Sequence, residues 1–90
     1  MAALLVATND FVVVPTVPGR RYYYGLGSAS WGTATAIVDG TLEDSNITLA
    51  TKTANGFGEF IALSKTTRFV LTSGTPDEPI EIVCGEIIQR

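Results

Sequence analysis

The chain has 90 residues, is 46% hydrophobic and 17% charged, and carries a net charge of −3. That length holds one domain at most, and six Lys plus Arg are too few for phosphate neutralisation to drive nucleic-acid binding. A single cysteine, Cys84, rules out an intrachain disulfide, and the absence of histidine removes the commonest general base and metal ligand.

Residues 2–7 are apolar. They are too few for the core of a secretion signal and follow no basic residue, which predicts a protein made in the cytoplasm and not exported. No run approaches the ~20 apolar residues of a membrane span. The stretch reads either as an edge strand of the same sheet or as an arm that adds a strand to a neighbouring subunit. Residues 1–9 therefore stand apart from a single β-sandwich domain over 10–90.

The first clear strand covers 11–14 and stops at Pro15 and Pro18, with Pro18-Gly19 as a turn signal. The next covers 20–26. A strand over 31–38 is closed by Asp39-Gly40, and 46–51 alternates in polarity. Asn55-Gly56 then predicts a type I′ hairpin turn, because both residues tolerate positive φ. The returning strand is 57–63, followed by 67–73 with Phe69 and Leu71 on one face. A loop over 74–79 holds two prolines and two acids. The last strand, 80–88, calls for a bulge at Gly85, since otherwise Glu86 shares the face of Ile80, Ile82 and Cys84. No window of about 11 residues shows helical spacing of apolar side chains. Seven strands, or eight if 4–7 pairs, with turn signals roughly 8–12 residues apart, predict an all-β fold. The architecture is a small antiparallel β-sandwich (jelly-roll-like) or a barrel.

The stretch NGFGEFIAL, residues 55–63, approaches the RNA-contacting strand of an RRM, but fails as one. Asn55 stands where that pattern has a basic residue, and Glu59 is inserted between Gly58 and Phe60. In a strand, the insertion sends Phe57 and Phe60 to opposite faces, so they do not stack two bases on one surface. The fold it belongs to also needs helices behind the sheet.

Arg20-Arg21-Tyr22-Tyr23-Tyr24 is the most unusual run. As a strand it puts Tyr22 and Tyr24 on one face and Arg21 and Tyr23 on the other, so each face carries an aromatic ring. One face is core. The other fits a subunit or partner contact, where Tyr and Arg are enriched, an ordinary surface strand, or a platform for stacking sugars. The anchors read from the sequence are Arg20, Arg21, Tyr22, Tyr23, Tyr24 and Trp31, with Leu4 and Leu5 as an apolar arm.

Asp39, Glu43 and Asp44 lie close together with Asn46, all oxygen-bearing, but their spacing is not that of a calcium loop, and a solvated acidic loop is the simpler reading. Cys84 in its apolar strand reads as a buried structural thiol. Asn46-Ile47-Thr48 fits a glycosylation sequon that has no use in an unexported chain. The serines have no histidine partner, and Asp77-Glu78 are adjacent acids on a loop, so the chain reads as a non-enzyme with no cofactor and no metal.

Three segments together resemble small β-sandwich virion proteins of tailed bacteriophages. They are the Thr-rich run 32–40 ending in Asp39-Gly40, the Asn55-Gly56 turn, and Arg68-Phe69 opening a strand that leads to a terminal strand of Val and Ile. The resemblance covers residues 31–88; residues 20–31 have no counterpart in it. It implies a capsid decoration (cement) protein on the virion surface, made in the host cytoplasm. Its partners would be the major capsid protein and its own copies, most often as a trimer, with no role for nucleic acid or membrane. The alternative is a carbohydrate-binding β-sandwich module or a phage fibre domain.

Overall fold

Alternation decides which side chains enter the core. Along the strand Arg21–Gly27, Tyr22, Tyr24 and Leu26 are buried while Arg21 and Tyr23 face solvent. The same two-residue period buries Thr67, Phe69 and Leu71 in Thr66–Ser73, and Ile80, Ile82 and Cys84 in Ile80–Glu86. A computed structural model describes residues 2–88 and resolves eight strands: β1 (Ala2–Leu5), β2 (Phe11–Pro15), β3 (Arg21–Gly27), β4 (Thr35–Leu42), β5 (Ser45–Lys52), β6 (Gly56–Ile61), β7 (Thr66–Ser73) and β8 (Ile80–Glu86). No helix occurs among the described residues.

The strands form two four-stranded antiparallel sheets, ordered β1-β8-β3-β6 and β2-β7-β4-β5. Pairing is nested: β4 with β5, β3 with β6, β2 with β7, β1 with β8. One long hairpin rolled onto itself has this pattern, and it is the jelly roll. The slab measures 37 × 31 × 16 Å. Between the sheets Tyr22 stacks on Phe60 at 5.5 Å, Tyr24 lies 6.0 Å from Phe69, and Phe60 meets Phe69 edge-on at 6.4 Å. Such ring pairs add about 0.5–1.5 kcal/mol each beyond their buried area.

Several expectations change. The Asn55-Gly56 hairpin does not form, because β5 and β6 belong to different sheets and 53–55 crosses between them. Neither residue has a positive φ; among the described residues Asn9, Glu43 and Asp44 do, as do Gly19, Gly32 and Gly74. The two-residue hairpin turn is instead Glu43-Asp44, with φ of 50° and 65°, closed by the Leu42–Ser45 pair. The expected strand over 31–38 starts at Thr35 and runs on through Asp39-Gly40 to Leu42. Gly85 is not bulged; it pairs directly with Tyr23. Glu86 does share the face of Cys84, but it sits at the strand end and reaches the Arg20 guanidinium at 3.3 Å, so its charge is matched. The irregularities fall at Val38/Asp39 and Thr35/Ala36 in β4.

Residues 2–5 are an edge strand of this chain's own sheet, and Leu5 is fully buried. The crossing that follows is pinned by Asp10, whose carboxylate accepts the Ala7 and Val6 N–H groups at 2.8 and 2.9 Å. Those bonds hold its pKa below the usual carboxylate range. At the same end Gly74 has a φ of +71°, and a Cβ there would stand 2.0 Å from the Thr33 carbonyl oxygen, so no other residue fits.

Candidate interaction surface

The outer face of the β1-β8-β3-β6 sheet collects apolar side chains in water: Leu4, Tyr23, Phe57, Ile61 and Val83 are all exposed, Phe57 to 85%. Cross-strand register arranges them in rows. Tyr23 stands between Gly85 of β8 and Glu59 of β6; Gly25 stands between Val83 and Phe57; Gly27 lies beside Glu81. Three outward positions are therefore glycine, and each leaves a hollow that a neighbour uses differently. The Tyr23 ring lies across Gly85, where a Cβ would meet its hydroxyl at 2.5 Å. Gly27 stays open, while at Gly25 a Cβ would meet the Val83 side chain at 3.1 Å; the two glycines floor a shallow groove of about 450 Å³ walled by Phe57 on one side and Val83 and Glu81 on the other. It continues past Gly25 into a second hollow of about 320 Å³ bounded by Tyr23 and Glu59.

The charges at this face are sparse and mostly paired. Arg21 bonds Glu59 across β3 and β6, both about half exposed, so the pair orders two side chains and adds little stability. Arg20 leans on Glu86 beside it.

The eight anchors named from sequence divide evenly. Arg20, Arg21, Tyr23 and Leu4 lie at the surface of this sheet. Leu5, Tyr22, Tyr24 and Trp31 are buried in this chain's own core, which corrects their reading as partner contacts. Tyr22 and Tyr24 face inward because alternation from Tyr23 requires it; the Tyr22 hydroxyl accepts the Val17 N–H at 2.7 Å. Trp31 precedes β4 and is 9% exposed. Its indole N–H donates to the Asn55 side-chain oxygen at 2.6 Å, and the same oxygen accepts the Ser28 N–H at 2.8 Å. Asn55 is thus a clamp between two crossings, not a turn residue.

Phe57 and Phe60 lie on opposite faces, one exposed and one buried, as the inserted Glu59 requires. Val83 and Ile61 carry no mark of their own in the sequence, because outward apolar residues look the same there as inward ones. The signal that marks the groove is glycine at alternate positions, Gly25 and Gly27, in an otherwise aromatic strand.

The acids from Asp39 onward do not form one solvated loop. Asp39 is mid-strand and 5% exposed, bonded to Arg68 at 2.7 Å, while Glu43 and Asp44 occupy the turn beyond. Arg68 also lies 5.8 Å from the centroid of the Phe11 ring on the outer face of the second sheet. Cys84 is buried, and burial pushes its thiol pKa up, as it does for the Tyr24 hydroxyl.

The fold and its surface define a small jelly roll with one flat, apolar, grooved face. No family model matches the chain, and neither a curated protein nor a solved structure matches it.

Proposed function

We propose that the chain is a non-enzymatic structural virion protein, a capsid decoration protein of a tailed phage that binds the shell surface and its own copies. The observation that carries this reading is the outer face of the β1-β8-β3-β6 sheet, where Leu4, Tyr23, Phe57, Ile61 and Val83 stand in water together. An exposed apolar patch of this kind marks a surface that another surface covers. Covering Phe57 alone stabilises a complex by about 2 kcal/mol. Jelly rolls serve both capsid and lectin proteins, so the fold is compatible with the role as an analogy only.

The carbohydrate reading now turns on Tyr23 and Phe57, since Trp31 is enclosed by its own fold. The groove between Phe57 and Val83 offers few polar groups for sugar hydroxyls, so subunit contact is the better match. Mass spectrometry of purified virions is expected to find this chain at a fixed ratio to the main shell protein. Virions of the phage that encodes it that lack the chain would overturn the proposal.

A further inference from the structure

We infer that the outer face of the β1-β8-β3-β6 sheet pairs with a second copy of the same chain, Phe57 of each copy filling the Gly25–Gly27 groove of the other. This deepens the proposed function and rests on its view of that face as adhesive.

The argument is one of shape. The most exposed large apolar side chain of the described residues, Phe57 at 85%, stands directly beside the hollow over Gly25, its cross-strand partner. Knob and hole thus share one row and point the same way. Two such faces meet only when one copy is turned over, by a half-turn about an axis lying in the interface. An axis along the strands, between β3 and β6, exchanges the two columns. It sets Phe57 on the partner's Gly25, because those residues face each other across the ladder. The same operation puts Glu59 over the partner's Tyr23 and Arg21 over the partner's Ile61, since these too are cross-strand pairs. No like charges are opposed. A knob and hole on one flat face close in pairs and not in rings, so this contact gives a dimer where the resemblance to decoration proteins implied a trimer. On the other sheet the exposed Phe11 ring already carries the Arg68 guanidinium, which leaves it less free to enter a partner.

Magnitudes set the strength. Because β6 is an edge strand, this operation overlays only β3 and β6 on the partner's β6 and β3; two strands ~4.8 Å apart and about six residues long give a face of roughly 200 Å². That is about a quarter of the ~800 Å² per partner in a standard interface, so the pair is weak in free solution. Many copies held on one surface would reinforce it through effective concentration.

Sedimentation equilibrium of the full chain from about 1 µM to about 1 mM spans the range expected of a contact this size. A monomer–dimer equilibrium is expected. Phe57→Ser removes the knob, and Gly27→Val fills the groove; a Cβ at Gly27 meets nothing within 4 Å, so the second variant keeps its fold. Each is expected to weaken the dimer by at least about tenfold, the equivalent of 1.4 kcal/mol. Leu42→Ser, at an exposed apolar site on the other sheet, is expected to leave it unchanged. A monomer throughout the range, a trimer, or a dimer indifferent to both face variants overturns the inference. So does a monomer whose binding on a glycan array is lost with Phe57→Ser, which would make the groove a sugar site. A monomer still present on virions sinks self-pairing alone, and a dimer absent from virions sinks the virion role alone.

Discussion

Asn55 shows how much one side chain decides at the end of the slab where 28–34 and 53–55 cross between sheets. Its amide oxygen accepts from both the Ser28 backbone and the Trp31 indole. Asn55→Ala leaves the buried indole N–H without a partner, which costs about 1–3 kcal/mol. Urea denaturation is expected to show a lower midpoint with an unchanged slope, and Trp31 fluorescence should shift to the red in the folded variant. Asn55→Asp keeps the acceptor and is expected to recover most of the loss. Asn-Gly is a strong hairpin signal, and it misleads here because the side chain has a tertiary use that outweighs the local preference. Glu43 takes up left-handed φ without being a residue type that favours it, and only Asp44 beside it is one, so the true turn was weakly announced.

At the scale of elements, β4 carries the main tension. Its register shifts at Val38/Asp39, and Asp39 follows the shift, outward in direction yet enclosed. One carboxylate oxygen bonds Arg68, and the other has no hydrogen-bond partner in the protein. Arg68→Ala therefore strands a buried charge and is expected to cost about 3 kcal/mol. The double variant Asp39→Ala/Arg68→Ala is expected to be more stable than Arg68→Ala alone, a cycle readable by thermal melting. If Arg68→Ala proved neutral, the pair would have no part in holding β4 to β7.

The strands themselves were legible where alternation is clean. In β3 period two groups Arg21 with Tyr23 and Tyr22 with Tyr24, while which pair faces inward, Tyr22 and Tyr24, is decided by the opposing sheet. Trp31 was misplaced because it lies before β4, in a crossing where alternation gives no direction. Partner choice was not legible at all. β5 and β6 are adjacent in sequence yet in different sheets, and Phe60 of β6 packs on Tyr22 and Phe69. The groove, too, depends on which columns β8 and β6 occupy beside β3, a fact of topology that no single segment carries.

For the molecule as a whole, burial of two titratable groups makes stability fall at alkaline pH. The Cys84 thiol and Tyr24 hydroxyl both have pKa values raised above their ordinary 9.0 and 10.0 by desolvation. Each binds its proton more tightly folded than unfolded, so the stability this represents is complete below pH 9.0 and is lost as pH rises through the folded values. Denaturation midpoints are expected to fall steadily above that point, and less steeply in Cys84→Ala. The thiol should also react with a disulfide reagent only as fast as the protein opens.

The nested pairing has a consequence for synthesis. Of the four rolled pairs only β4–β5 is local; the outermost joins β1 to β8. β8 also sits inside its sheet, between β1 and β3, so until the ribosome releases it β1 has no neighbour and half of that sheet is open. Folding should therefore wait until β8 has emerged and proceed at the slow pace of distant contacts, and a nascent chain stalled just short of β8 is the form most exposed to chaperones and proteases.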